Sequence, residues 1–125
     1  MKKYALFIGR WQNWHKGHEW LITQQLNKGK NVWVAIRDVE IDETNLKSAR
    51  EVLKELQNEP FFTNNWDKIM ISIVPDIESV NYGISNGYDV IYHKAPKEIE
   101  QINGNSIRNK YIDSNGDEVI YAIDK

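Results

Sequence analysis

The sequence predicts an α/β protein: a parallel sheet of about five strands flanked by helices, in a single domain. Three observations predict it. Short apolar runs rich in β-branched and aromatic residues recur at Tyr4–Ile8, Asn31–Ile36 and Lys68–Val74, apolar on both faces as the strands of a covered parallel sheet are. Between them lie stretches whose apolar residues return at helical spacing. No repeat, low-complexity tract or linker divides the 125 residues, a length that supports one domain with one core, taken as residues 1–125.

Each element has its own signal. Tyr4–Ile8 is the first strand, closed by Gly9. From Gly17 to Asn27, Trp20, Leu21, Ile22 and Leu26 mark a helix, with Lys28-Gly29 as its stop. Asn31–Ile36 is the second strand, and a polar loop from Arg37 to Asn45 follows it, carrying Asp38, Glu40, Asp42 and Glu43. Ala49, Val52, Leu53 and Leu56 predict a helix from about Leu46 to Asn58, with Pro60 at or after its end. Lys68–Val74 is the third strand, stopped by Pro75-Asp76. Ile77 to Asn86 reads as a loop or one or two helical turns. Tyr88–Tyr92 is the fourth strand, and Ile99–Ile102 is read as a short fifth. Asn105 to about Ile112 reads as a short helix, and Glu118–Ile123 as a last strand after an Asn115-Gly116 turn. Trp20, Trp33 and Trp66 are expected in or beside the core.

Composition removes several classes of function. Hydrophobic residues make up 41% of the chain and charged residues 27%, which is neither disordered nor fibrous. A net charge of −2 argues against a protein that lives on nucleic-acid backbone. With no cysteine there is no disulfide, thiolate metal site or cysteine nucleophile. The apolar run after Met1-Lys2-Lys3 is too short for a signal peptide and is closed by Gly9-Arg10, and no stretch approaches the ~18 apolar residues of a membrane span. The expectation is a cytoplasmic protein with neither a membrane nor a nucleic-acid partner.

In parallel α/β sheets, ligands bind outside the carboxyl ends of the strands. The first strand ends there on Gly9-Arg10-Trp11-Gln12-Asn13-Trp14-His15-Lys16-Gly17-His18. Gly9 frees space where the chain turns beside a ligand. Gly17 does so at a helix start, whose amides and dipole favour an anion. His15 and His18 project to one side if the first turn begins near His15, and two imidazoles there can donate to phosphate oxygens and stabilise charge developing on an attacked phosphorus. The rival reading is a pair of capping histidines. A zinc site would need a third protein ligand, and none is marked: His93 is alone and there is no Cys.

This stretch resembles the nucleotidyltransferase superfamily marked by His-x-Gly-His after its first strand. It looks most like the G-R-F-Q-P-F-H-x-G-H of the nicotinamide-nucleotide adenylyltransferases and related small adenylyltransferases. Trp11 and Trp14 replace Phe, and Asn13 replaces Pro, a change expected to loosen the loop. The cytidylyltransferase branch has G-T-F-D where this chain has Gly9-Arg10-Trp11-Gln12, which favours ATP over CTP. Ile102-Asn103-Gly104-Asn105-Ser106-Ile107-Arg108 resembles the superfamily's second signature, I-S-x-[ST]-x-I-R, with Asn103 and Asn105 where hydroxyl residues are usual. Asn caps a helix as well as Ser does. Arg37-Asp38, with Asn45 shortly after, partly matches the family's I-R-D and N-P-F, and Val74-Pro75-Asp76 its V-P-D. Tyr82 is a candidate for stacking on a base or acceptor ring.

The resemblance implies a Rossmann-like fold and an enzyme: a nucleotidyltransferase moving a nucleoside monophosphate, AMP favoured, from an NTP to a small phosphate-bearing acceptor, with release of pyrophosphate. His15 and His18 would be catalytic. Gly9, Arg10, Gly17, Asn105, Ser106 and Arg108 would bind the nucleotide, and Lys16, Arg37, Asp76 and Tyr82 are candidates for acceptor or phosphate contacts. Mg²⁺ would enter with the NTP, without a dedicated protein site. Alternatives are a cytidylyltransferase on the same scaffold and a non-catalytic nucleotide-binding regulatory module. A homodimer is left open.

Overall fold

In a computed structural model, described over residues 2–84 and 87–100, the chain forms a small mixed α/β domain around a three-stranded parallel sheet. The elements are β1 (Tyr4–Gly9), α1 (Lys16–Leu26), β2 (Asn31–Asp38), α2 (Ala49–Asn58), α3 (Pro60–Thr63), β3 (Ile69–Pro75) and α4 (Lys97–Glu100). The sheet order is β1-β2-β3. Register aligns Phe7 with Val34 and Val34 with Ile71, so Ala5, Phe7, Val32, Val34, Ile36, Ile69, Ile71 and Ile73 share one face. Against that face pack Leu21, Ile22 and Leu26 of α1, Ala49, Val52, Leu53 and Leu56 of α2, and Phe61 and Phe62 of α3 in one continuous core. Two β-α-β crossovers of the same hand, stepping across the sheet in one direction, place both helices on the same side. The opposite face, with Tyr4, Leu6, Ile8 and Met70, is substantially exposed.

The three strands and two main helices lie where the sequence predicts them, with shifted ends. β2 runs on to Asp38, carrying Arg37 into the sheet. The second helix starts at Ala49 and not at Leu46, because Ser48 caps it. The Ser48 hydroxyl accepts from the Glu51 N–H (3.2 Å), and the Glu51 carboxylate accepts from the Ser48 N–H (3.1 Å). Pro60 follows the end of α2, as expected, with Glu59 extended before it, and it also opens α3 at a first-turn position, where its missing N–H has no partner to lose.

Three expectations are corrected. Tyr88–Tyr92 does not join the sheet: its alternating side chains remain exposed, so no burial rewards pairing. Lys97–Glu100 is a single helical turn, in which the Ile99 and Glu100 amides donate to the Pro96 carbonyl, so Ile99 is not in a strand. Trp66 is 78% exposed in the turn before β3 and takes no part in the core. Trp33 lies half-buried on the open face, its indole N–H bonded to the Ser72 hydroxyl at 2.7 Å. The helix expected from Asn105 and the strand at Glu118–Ile123 fall outside the described residues. Among the described residues, no helix is long and apolar enough to cross a membrane.

Candidate functional site

The carboxyl end of β1 delivers the chain into a loop, Arg10 to Trp14, that is fixed by ties to three neighbours. Trp11 folds back over Gly9, where a Cβ would stand 3.0 Å from its ring, and its indole N–H donates to the Ala35 carbonyl of β2 (2.9 Å). Gln12, buried, makes a reciprocal pair with the Lys47 backbone: its amide donates to the Lys47 carbonyl (2.8 Å) and its oxygen accepts from the Lys47 N–H (3.0 Å). Arg10 donates to the Asn45 side chain at 3.1 Å. Trp14 packs on Phe61 and Phe62. Trp11 and Asn13 adopt positive φ, 53° and 59°. Proline cannot take that backbone conformation, and Asn tolerates it better than most residues. Asn13 therefore does not loosen the loop; it permits a turn that the Pro of the resembling motif cannot make.

The loop ends on His15, which caps α1. The cap is a reciprocal box built from the two histidines. Nδ1 of His15 accepts from the Gly17 N–H at 3.0 Å, and Nδ1 of His18 accepts from the His15 N–H at 3.3 Å. The rings stack with centroids 3.7 Å apart at 20°, and the ring centroids of Trp11, edge-on, and Trp14, tilted, lie 5.0 and 5.1 Å from that of His18. His15 is 5% exposed. Burial lowers its pKa to about 4; burial, then the neighbouring His15, lowers that of His18 to about 3. Both rings are therefore neutral at pH 7. Among the described residues, neither ring's Nε2 has a hydrogen-bond partner, both recorded bonds being made by Nδ1.

Beside this loop, at the carboxyl ends of the strands, lies a cleft of about 590 Å³ lined by Arg10, Arg37, Asp38, Glu40, Asn45 and Asp76, among others. Arg37 is paired across it: Nε and Nη2 each lie 2.8 Å from one carboxylate oxygen of Asp76. Asp42, at its rim, accepts from the Thr44 N–H and hydroxyl and from Asn45, and these bonds hold its carboxyl below the usual range. That turn presents Asn45 to Arg10. Among the described residues, no cluster of three or more His, Cys, Asp or Glu is arranged to hold a metal ion.

Of the residues singled out from sequence, Gly9, Arg10, His15, Gly17 and His18 come together on one loop and helix start. Arg37 and Asp76 come together as an ion pair in the adjoining cleft. The Gly17 amide is occupied by the His15 ring, so it supports the imidazole and is not itself open to an anion. Lys16 points to solvent, and Tyr82 is 63% exposed and does not line the cleft. Asn105, Ser106 and Arg108 lie outside the described residues. Sequence reasoning missed the supports: Gln12, Trp11 and Trp14 hold the histidines, and their only signal was their place within the resembling motif. No protein-family model, curated protein or solved structure matches this chain.

Proposed function

We propose that this chain is a nucleotidyltransferase that moves a nucleoside monophosphate, AMP in preference to CMP, from an NTP to a phosphate-bearing acceptor. The observation that carries the reading is the pair of stacked imidazoles after the carboxyl end of β1, each using Nδ1 in the helix cap, beside a cleft large enough for a small phosphorylated molecule. In the reaction, an acceptor phosphate oxygen attacks the α-phosphorus in line. The bond to the α,β-bridging oxygen breaks, and pyrophosphate leaves with the electron pair. His15 and His18 hold phosphoryl oxygens as charge builds, with His18 nearest the α-phosphate. Arg10 and the Arg37–Asp76 pair face the acceptor, and Asn105, Ser106 and Arg108 take the β- and γ-phosphates. Mg²⁺ arrives on the triphosphate, liganded by its oxygens and water. Holding two polyanions in line supplies much of the catalysis, a contribution of ~7–11 kcal/mol in well-oriented systems.

The three-stranded parallel sheet is read as the core of a Rossmann-like fold, and the reaction is assigned to the cytoplasm, where NTPs are available. A non-catalytic nucleotide-binding module is the second reading, favoured by the Gly17 amide being spent on the histidine cap and Arg37 on Asp76. His18→Ala separates the two. Turnover falling at least about a hundredfold with nucleotide affinity nearly unchanged supports the transferase, since the interaction is made chiefly in the transition state. Equal loss of both contradicts the role assigned to His18.

A further inference from the structure

We propose that the Arg37–Asp76 ion pair is a latch on the cleft: Asp76 holds the edge of the Arg37 guanidinium that an anion would use, and the acceptor's phosphate must displace it. The inference rests on the function proposed above for the identity of that anion, and adds a regulation of the same site.

The two residues meet because their strands are parallel neighbours. β2 ends on Asp38, which aligns with Pro75 at the end of β3, and Asp76 is the next residue. Arg37 turns its Nε and Nη2 to one oxygen of Asp76, each at 2.8 Å. That edge is the fork with which a guanidinium takes a carboxylate or a phosphate. Asp38, Glu40 and Asp42 line the same cleft, yet among the described residues Arg37 pairs with Asp76. The Ile77 N–H donates to the same Oδ1 at 2.9 Å, so the turn after β3 aims the carboxylate. This anchor belongs to Asp76 and its own backbone, and it survives when Arg37 leaves.

The pair is placed to open. Its side chains are 31% and 53% exposed, and an ion pair in contact with water holds weakly. On release the carboxylate returns to solvent, so no charge is stranded in a core. A phosphomonoester carries up to two charges near pH 7 against the carboxylate's one, so the exchange favours it. Arg10 supplies the point of entry. Its Nη1 donates to the Asn45 amide oxygen at 3.1 Å, a neutral partner, and it is in no ion pair among the described residues. Asn45 is 6% exposed and held by Asp42, which keeps Arg10 in place without cancelling its charge. An anion collected by Arg10 stands in the cleft that Arg37 also lines. The latch lowers anion affinity by the fraction of time it is open: shut three-quarters of the time, it weakens binding about fourfold.

The test is a sulfate titration of the ¹⁵N-labelled protein at pH 7 and constant ionic strength, read on the arginine Nε–H signals. Arg37→Gln assigns the Arg37 signal by its loss. In Asp76→Asn, which keeps an acceptor for the Ile77 N–H, sulfate should bind about threefold or more tightly at the Arg37 signal than in the parent. Asp76→Ser repeats the measurement with a second side chain. Asp38→Asn removes one charge from the same cleft without touching the pair, and its gain should be clearly smaller. Affinity that is unchanged or weaker in both Asp76 variants overturns the latch, since Asp76 would then only position Arg37. An equal gain in Asp38→Asn also overturns it, because the effect would be one of cleft charge alone. So does an Arg37 signal that sulfate leaves unmoved in Asp76→Asn. None of these readouts requires turnover. A latch that opens to sulfate in a protein that releases no pyrophosphate would sink the transferase reading and keep the latch, so the two failures are distinguishable.

Discussion

His15 and His18 cost the protein stability in acid. Their folded-state pKa values, about 4 and about 3, lie below the unfolded value of 6.5. Between those limits the unfolded chain binds protons that the folded chain does not, so the stability is complete above about pH 6.5 and is lost as pH falls towards 4. At pH 5 the loss is about 2 kcal/mol for each ring, a large share of the ~5–15 kcal/mol typical of a domain. Urea midpoints should therefore drop between pH 7.5 and 5, and the drop should shrink in His15→Asn/His18→Gln. A flat profile in the parent protein would contradict the burial described. Asn13 supplies a second prediction. Restoring the proline of the resembling motif, Asn13→Pro, forces φ near −65° where the turn needs 59°, and should destabilise by more than about 1 kcal/mol, whereas Asn13→Gly should be close to neutral. Thermal unfolding of the two variants decides it. The motif was legible in the sequence; that its Asn selects a different turn was not, because residue type alone does not report φ.

At the scale of elements, the site depends on the joint between the β1–α1 loop and the start of α2. Gln12 makes that joint through two bonds to the Lys47 backbone, immediately before the Ser48 cap; Lys47 itself also pairs with Glu55. Gln12→Ala strands a part-buried carbonyl and amide and should cost about 1–3 kcal/mol. It should also broaden the His18 ring signals, since the loop that carries the histidines loses its anchor, while Gln12→Glu should recover only the bond from the Lys47 N–H. An unchanged unfolding midpoint in Gln12→Ala would remove the joint from the account. β1, β2, β3 and the two main helices were legible because each repeats one burial pattern over a whole face. Tyr88–Tyr92 has a similar apolar composition, yet whether a run pairs depends on an available edge and a covering layer, neither of which is written in the run itself. Lys97–Glu100 failed for the opposite reason: Pro96 and three charged residues in the four that follow set a local turn that apolar Ile99 did not reveal.

At the scale of the molecule, one sheet face carries the core and the other carries Tyr4, Leu6, Ile8 and Met70 in partial contact with solvent. The two faces should respond differently to truncation. Leu56→Ala, at a fully buried position, should cost about 2–5 kcal/mol, while Leu6→Ala, at a side chain 47% exposed, should cost less than about 1.5 kcal/mol. Equal costs in urea unfolding would mean that the second face is covered in solution. The parallel run of the strands places the site: it brings the β1 loop, the β2 end with Arg37 and the β3 end with Asp76 to one rim, and the cleft opens there. The central claim is that this rim transfers a nucleotide. The most direct measurement is pyrophosphate release with Mg²⁺ and ATP or CTP across a panel of phosphomonoester acceptors, beside His18→Ala. The account predicts release that requires one acceptor, runs faster with ATP than with CTP and is lost in the variant. Absence of any nucleotide binding by calorimetry, together with no release for any acceptor, would contradict it.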